Sequence, residues 1–244
     1  NTPATKEAEN AWLPGIFVQD EITFSPKSQV LLGMRYDYNS IHGSIFTPRF
    51  AYRFKANENT IFRLNAGTGF RVVNLFTEDH AALTGSRDVV IANNLNPEKS
   101  VNVNLNYIQK INFDSGVFIG IETTAFYTRF SNKIISDYET DPNKIIYDNI
   151  DGYAISQGIS TNVDVNFPSG LKFILGATVL DNKNVQDKIS QRPFLTERFT
   201  GTWSVSYKIN PWNLVLDYTG NVYSPMKLPL LSETDPRSPN SPWY

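Results

Sequence analysis

Few residues of this 244-residue chain have the types and spacing that catalysis needs. The two histidines, His42 and His80, fall in polar connecting stretches. No His-Glu-x-x-His pair and no Gly-x-Ser-x-Gly elbow occurs. The absence of cysteine removes disulfide frameworks, thiolate zinc sites and thiol nucleophiles in one step. Neighbouring carboxylates such as Glu78 and Asp79 have the chemistry of a general acid and base, but in a loop their default is solvation. The stretch Asp137-Tyr138-Glu139-Thr140-Asp141, followed by Tyr147-Asp148-Asn149, offers oxygens of the kind calcium takes, without the spacing of an EF-hand. No cofactor or metal is expected, and no enzyme activity. Recognition chemistry is concentrated in the segment 70–98, which mixes Arg71, Glu78, Asp79, His80, Arg87 and Asp88 with Leu75, Phe76 and the run Val89-Val90-Ile91. Long connections in folded domains are commonly binding elements. Arg71, His80, Arg87 and Asp88 are therefore candidate ligand contacts; the plainer reading is that each only seals the loop against its neighbours.

The elements that would position such a loop have a period of two. Val101, Val103, Leu105 and Tyr107 alternate without fault with Asn102, Asn104 and Asn106, which puts the two sets on opposite faces of a strand. Tyr153 to Phe167 follows the same rule, with Asp164 on its polar side. So do Val30 to Asn39, Phe46 to Lys55, Phe199 to Lys208 and Asn213 to Thr219, and, less cleanly, 15–24, 59–69, 116–130 and 170–182. No long segment shows the 3.6-residue spacing of an amphipathic helix. The 13% of aromatic residues suits pleated surfaces. Lysine plus arginine (22) nearly cancel aspartate plus glutamate (24), which speaks against a nucleic-acid partner.

The connections alternate between short and long. Tight-turn chemistry occurs at Pro26-Lys27, Ala56-Asn57-Glu58-Asn59, Asn112-Phe113-Asp114-Ser115, Pro168-Ser169-Gly170 and Asn210-Pro211. The long connections are 70–98, 131–152, 183–195 and 224–243, with a shorter one at 40–45. In an up-and-down sheet this collects every tight turn on one rim and every long loop on the other, as in outer-membrane barrels. Strands often exceed ten residues, beyond the usual five or six, and Tyr36, Tyr38, Tyr107, Tyr127, Tyr207, Trp212, Tyr218 and Tyr223 recur toward strand ends as in interfacial girdles. The expected fold is all-β: an antiparallel up-and-down meander of about ten strands, a segment of a large transmembrane β-barrel. Its polar face would then line the lumen, with Arg35, Arg49, Arg53, Arg63, Asn102, Asn104, Asn106 and Asp164 among the lumen-facing residues. A soluble β-sandwich or lipocalin-like barrel also alternates, with its polar face in bulk water and its apolar face sealed in a core.

Two stretches carry a family resemblance. Phe46-Thr47-Pro48-Arg49-Phe50-Ala51-Tyr52 precedes Phe62-Arg63-Leu64-Asn65-Ala66-Gly67-Thr68-Gly69-Phe70-Arg71, and Asn94-Leu95-Asn96-Pro97-Glu98-Lys99-Ser100 opens the alternating strand at Val101. This order resembles the barrel of TonB-dependent outer-membrane receptors over 44–108; over 109–223 the likeness rests on the hairpin pattern. Val72-Val73 departs from the Ala-Pro or Thr-Pro common in the family. No plug domain, TonB-engaging box or terminal aromatic strand is legible, and the proline-rich stretch Asp235 to Trp243 does not read as a central strand. Because Asn1 to Trp12 and Ser224 to Tyr244 read as loop material, residues 1–244 are expected to form part of a barrel domain, from its later half, with the terminal strand missing.

The resemblance implies an outer-membrane location and import of a scarce ligand, such as a ferric siderophore, cobalamin or a glycan, with energy from TonB. It implies outer-membrane lipid, a plug domain, TonB and a small molecule or metal chelate as partners. Two other readings stay open on residues alone: a soluble β-sheet binding module, with aromatic platforms for carbohydrate, and an outer-membrane barrel enzyme, for which no nucleophile–base pair is visible. Gly67 and Gly69 are read as strand glycines that allow bends and close packing, since no helix follows to make a phosphate loop.

Overall fold

Alternating side chains and tight turns build a wall one residue layer thick. A computed structural model describes residues 12–72, 88–91, 95–138, 140–141, 143–230 and 236–244. Its strands are β1 (Gly15–Ser25), β2 (Ser28–Asn39), β3 (Gly43–Asn57), β4 (Thr60–Arg71), β5 (Asp88–Ile91), β6 (Glu98–Asn112), β7 (Phe118–Ser131), β8 (Ile134–Asp137), β9 (Lys144–Asn149), β10 (Gly152–Asn166), β11 (Leu171–Gln186), β12 (Ile189–Gln191), β13 (Phe199–Ile209) and β14 (Leu214–Tyr223). Ten of them form an antiparallel meander in the order β1-β2-β3-β4-β6-β7-β10-β11-β13-β14, and β12 adds to β11. The meander strands run from 10 residues in β14 to 16 in β11, enough to cross a hydrocarbon layer at a tilt.

The tight turns lie on one rim and have local causes. Gly116 and Gly170 adopt φ of 80° and 87°, which glycine reaches without steric cost. Asn213, at φ 51°, ends a short 3-10 turn over Asn210–Trp212. The Asn57 carboxamide accepts from the Asn59 amide at 2.8 Å and shapes the β3–β4 turn.

Cross-strand pairing assigns each side chain to a face. Arg35, Arg49, Arg53, Arg63, Asn102, Asn104, Asn106 and Asp164 all share one face: Arg49 is paired with Gly67, Gly67 with Asn102 and Arg63 with Asn106, and the register runs through β7 to Asp164. The other face carries Ile16, Val18, Leu32, Val101, Val103, Leu105, Leu175 and Leu216, consistent across the same ladders. Among the most buried side chains of the wall, burial is inverted relative to a water-soluble sheet. On the polar face Asp37 is 0% exposed and Asn106 8%, while on the apolar face Ile16 is 72% exposed and Val101 56%. Crowded polar and splayed apolar side chains are what a sheet curled around its polar face gives. Among the described residues only Ile45, Ile145, Ile150 and Ala154 are buried apolar side chains, so no sealed hydrophobic core exists on either side.

Four features depart from the sequence expectations. The long connections 70–98 and 131–152 are not wholly irregular: β5, β9 and β8 form a separate sheet, with β5 parallel to β9 and β8 antiparallel to it. The β-branched run at Val89-Val90-Ile91 had the composition of a strand, but its partner lies more than fifty residues away and could not be read locally. Tyr223 falls on the polar face, opposite Thr200, and stacks on Tyr244 at 5.1 Å instead of joining an apolar-face girdle. The polar face is also not uniformly polar, because Phe17, Phe126, Phe130, Ile174 and Leu180 share it. Finally, β3 and β4 are paired only as far as Arg49 and Gly67; beyond that, β3 continues on β2 and β4 on β6. Pro48, without an N–H, stands where the ladder parts.

Candidate functional site

The polar face is built as a connected band. Arg53 donates to the Gln29 carboxamide at 3.0 Å. Arg63 lies directly opposite Arg53, an unfavourable like-charge pair, and turns the other way to donate to Asn106 at 3.4 Å. Asn106 in turn donates to Glu122 and to Thr124, both at 2.9 Å. Glu122 therefore brings a negative charge to the band's far end from the two arginines. Nearer the loop-side rim, Arg35 holds both oxygens of Asp37 at 2.7–3.0 Å. Bidentate geometry of this kind fixes a guanidinium strongly. Arg49, Asn102, Asn104 and Asp164 hold their places by register on the same face.

The loop-side rim is tied together by two side chains to which the sequence reading assigned no such role. Glu98, nearly buried, accepts from Arg71 Nε at 2.7 Å and from the Ile134 amide at 2.8 Å. It joins the end of β4, the start of β6 and the start of β8. Asn149 accepts from the Asn96 amide at 2.7 Å and donates to the Asn96 carbonyl at 3.1 Å and the Asn132 carbonyl at 2.6 Å. It fastens the two long connections to each other. Beside this cluster, burial pushes the Lys133 ammonium below the ordinary lysine value, against the upward pull of Glu98, and the same group lies 5.7 Å from the Phe130 ring. Glu98 stood within the Leu-Asn-Pro-Glu stretch, so a signal existed; Asn149 was noted only for an oxygen of the kind calcium takes, not as a tie between loops.

Of the four candidate ligand contacts, two are described. Arg71 ends β4 and pairs with Glu98, its side chain about half exposed. Asp88 opens β5, exposed, and its amide donates to the Asn143 carbonyl at 2.8 Å. His80 and Arg87 lie outside the described residues, as do Glu78, Asp79 and Glu139. Arg71 and Asp88 thus both stand on the loop-side rim, one at the wall's edge and one on the small sheet. Within 137–141 the Asp141 carboxylate is taken by the Asn143 amide at 2.9 Å and Lys144 at 3.2 Å, and no cluster of metal-ligating side chains occurs among the described residues. The close-packing reading of the strand glycines has a geometric basis. A Cβ on Gly67 would stand 3.3 Å from the Pro48 carbonyl oxygen, and one on Gly69 would stand 3.1 Å from Ser100 Oγ.

The same architecture recurs in proteins of known structure. The siderophore receptor PirA from Acinetobacter baumannii superimposes with a TM-score of 0.71 at 14% identity, over 96% of this chain and 38% of that one. A mutant of the ferric enterobactin receptor PfeA from Pseudomonas aeruginosa, in complex with enterobactin, gives 0.70 at 19% identity, over 96% of this chain and 36% of that one. A curated relative, the iron-regulated outer membrane virulence protein of Vibrio cholerae serotype O1, is 27% identical over 120 residues, which cover 48% of this chain and 18% of the relative. This chain thus spans well under half the length of the proteins it matches. The family model described as TonB dependent receptor-like, beta-barrel, matches residues 1–239. With its inverted burial and lopsided rims, the chain belongs to the TonB-dependent receptor β-barrel family, and its location is the outer membrane.

Proposed function

We propose that this chain is the wall of an active importer for a ferric siderophore. The observation that carries the reading is the inversion of burial: a single antiparallel layer with Asp37, Asn39 and Asn106 buried on one face and Ile16, Val18, Val101 and Leu105 half or more exposed on the other. Lipid on the apolar face supplies the partner that no protein layer supplies, and the hydrogen-bonded ladder leaves the backbone satisfied there. Further strands pair with the free edges of β1 and β14, which stand at the two ends of the sheet. The lumen-facing set Arg35, Arg49, Arg53, Arg63, Asn102, Asn104, Asn106 and Asp164 then meets a plug, with Phe126, Phe130 and Leu180 as apolar contacts beside it. Energy comes from TonB acting on that plug. Arg71, His80, Arg87 and Asp88 face the ligand from the loop-side rim.

Siderophore import is favoured over cobalamin or glycan import by the iron-linked names of the similar proteins. The protein acts as a transporter and not as an enzyme. A soluble carbohydrate-binding module would need a sealed core, and the exposed apolar face argues against it. The test is uptake of radiolabelled iron as ferric enterobactin by cells producing the full-length protein as their sole siderophore receptor. Uptake is expected in a TonB-positive host and lost in a TonB-deleted one. Equal uptake in the two hosts overturns the energy coupling, and absence of uptake of any ferric siderophore overturns the ligand class.

A further inference from the structure

Where β3 and β4 part at Pro48, a cavity of about 540 Å³ opens toward the loop-side rim. Phe46, Phe70, Val101, Lys99, Arg129 and Tyr153 line it. Pairing puts all six on the apolar face: Phe46 opposite Tyr36, Phe70 opposite Lys99, Val101 opposite Arg129, and Tyr153 opposite Ser131. The cations and rings of the groove therefore lie on the side away from the polar band, while Ile45, Thr47, Gly69 and Ser100 of the other face also line it, and the import reading leaves it unused.

Its chemistry is two-part. Lys99 is paired with Ser131 and Arg129 with Val101, so the two cations are diagonal neighbours, about 7–8 Å apart at the backbone. One phosphate can touch both. Arg129 lies 4.5 Å above the Tyr153 ring, which orients its guanidinium without neutralising it. No aspartate or glutamate lines the groove, and neither cation has an ion pair among the described residues. By contrast, Lys183 on the same face is paired with Asp181 at 2.8 Å. Below the cations the wall is aliphatic, with Val101 56%, Val103 42% and Leu105 50% exposed.

Height decides what can sit there. Lys99 is the second residue of β6 and Arg129 the third from the end of β7, so both stand within roughly 10 Å of the rim at about 3.4 Å per residue. A cation on a lipid-facing wall is unfavourable at mid-depth and nearly free at the headgroup level, where a basic pocket meets anionic headgroups. We propose that the groove holds an anionic lipid of the loop-side leaflet, its phosphate between Lys99 and Arg129 and its acyl chain on Phe46 and Val101. The proposal rests on the apolar face being the lipid-facing one.

The test places the full-length protein in nanodiscs of phosphatidylcholine mixed with phosphatidic acid and reads lipid retained after release by native mass spectrometry. Unmodified protein is expected to retain phosphatidic acid preferentially. The double variant Lys99→Gln/Arg129→Gln should lose that preference about tenfold or more, while Lys99→Arg/Arg129→Lys keeps it and Lys183→Gln leaves it unchanged. Heat-modifiable gel mobility, which reports the folded barrel, is expected to be the same in all four. Retention by the glutamine double variant equal to that of unmodified protein overturns the site. So does an equal loss in Lys183→Gln, or displacement of the lipid by excess inorganic phosphate, which identifies a soluble-anion site. Failure of the unmodified protein to enter the discs overturns the membrane-wall reading and the lipid site together; entry without anionic preference overturns the lipid site alone.

Discussion

At the loop-side rim one carboxylate joins three strands. Glu98 takes the Arg71 guanidinium with one oxygen and the Ile134 amide with the other, and it is 6% exposed. A buried amide that loses its acceptor keeps its desolvation cost, about 1–3 kcal/mol. Glu98→Ala is therefore expected to destabilise the rim by that order. Hydrogen exchange in 132–138 should quicken, while exchange in β13 and β14 stays as it was. Glu98→Gln keeps an acceptor oxygen for Ile134 and should lose less. Unchanged exchange in the alanine variant would show that the rim is held by other contacts. The same residue explains two stretches of the family resemblance at once, since Arg71 closes the Gly-Phe-Arg stretch and Glu98 the Leu-Asn-Pro-Glu stretch, and they meet edge to edge across β4 and β6.

Among elements, the small sheet of β5, β9 and β8 is the one joined to the wall only through loops and side chains. It ties the two longest connections to each other, so any ligand contact made by Asp88 is held by backbone pairing to β9. The turn entering β9 depends on a charge. The Asn143 amide, and then Lys144, hold the Asp141 carboxyl below its usual value of 3.8. A lowered carboxylate pKa gives stability that is complete above the unfolded value and is lost as pH falls through the folded one. The β8–β9 hairpin should accordingly keep its exchange protection at neutral pH and lose part of it below about pH 4. In Asp141→Asn that acid-dependent step should disappear. Exchange mapping of 134–149 across this range checks both statements.

For the whole molecule the governing fact is that the described chain has one layer and no interior of its own. Ile16 and Val18 on β1 and Leu216 and Tyr218 on β14, all on the apolar face, are more than half exposed. Bare apolar surface on this scale associates or enters lipid. The full-length protein is expected to be monomeric and folded in detergent micelles and to precipitate on detergent removal, as followed by light scattering and heat-modifiable mobility. A clear monomeric solution without detergent would contradict the membrane wall. The geometry also separates the chain by face: the polar band with its arginines on one side, the aliphatic wall on the other, and the loop sheet at the rim.

Period-two alternation determined the strands, their faces and the meander, because side-chain direction along a strand is a local property that needs no knowledge of partners. The places of the tight turns were equally legible, Gly170 among them, while the positive φ of Gly116 and Asn213 fell just past the turn residues singled out, on positions read as strand. The family's motifs were readable as well, though not what they do. Tertiary structure alone decided that Val89-Val90-Ile91 would pair with Ile145-Ile146-Tyr147, that Arg71 would find Glu98, that Asn149 would lace two loops, and that Pro48 would part β3 from β4. Each of these joins segments distant in sequence, and a pattern of period two fixes the face a residue takes, not which distant strand comes to lie beside it.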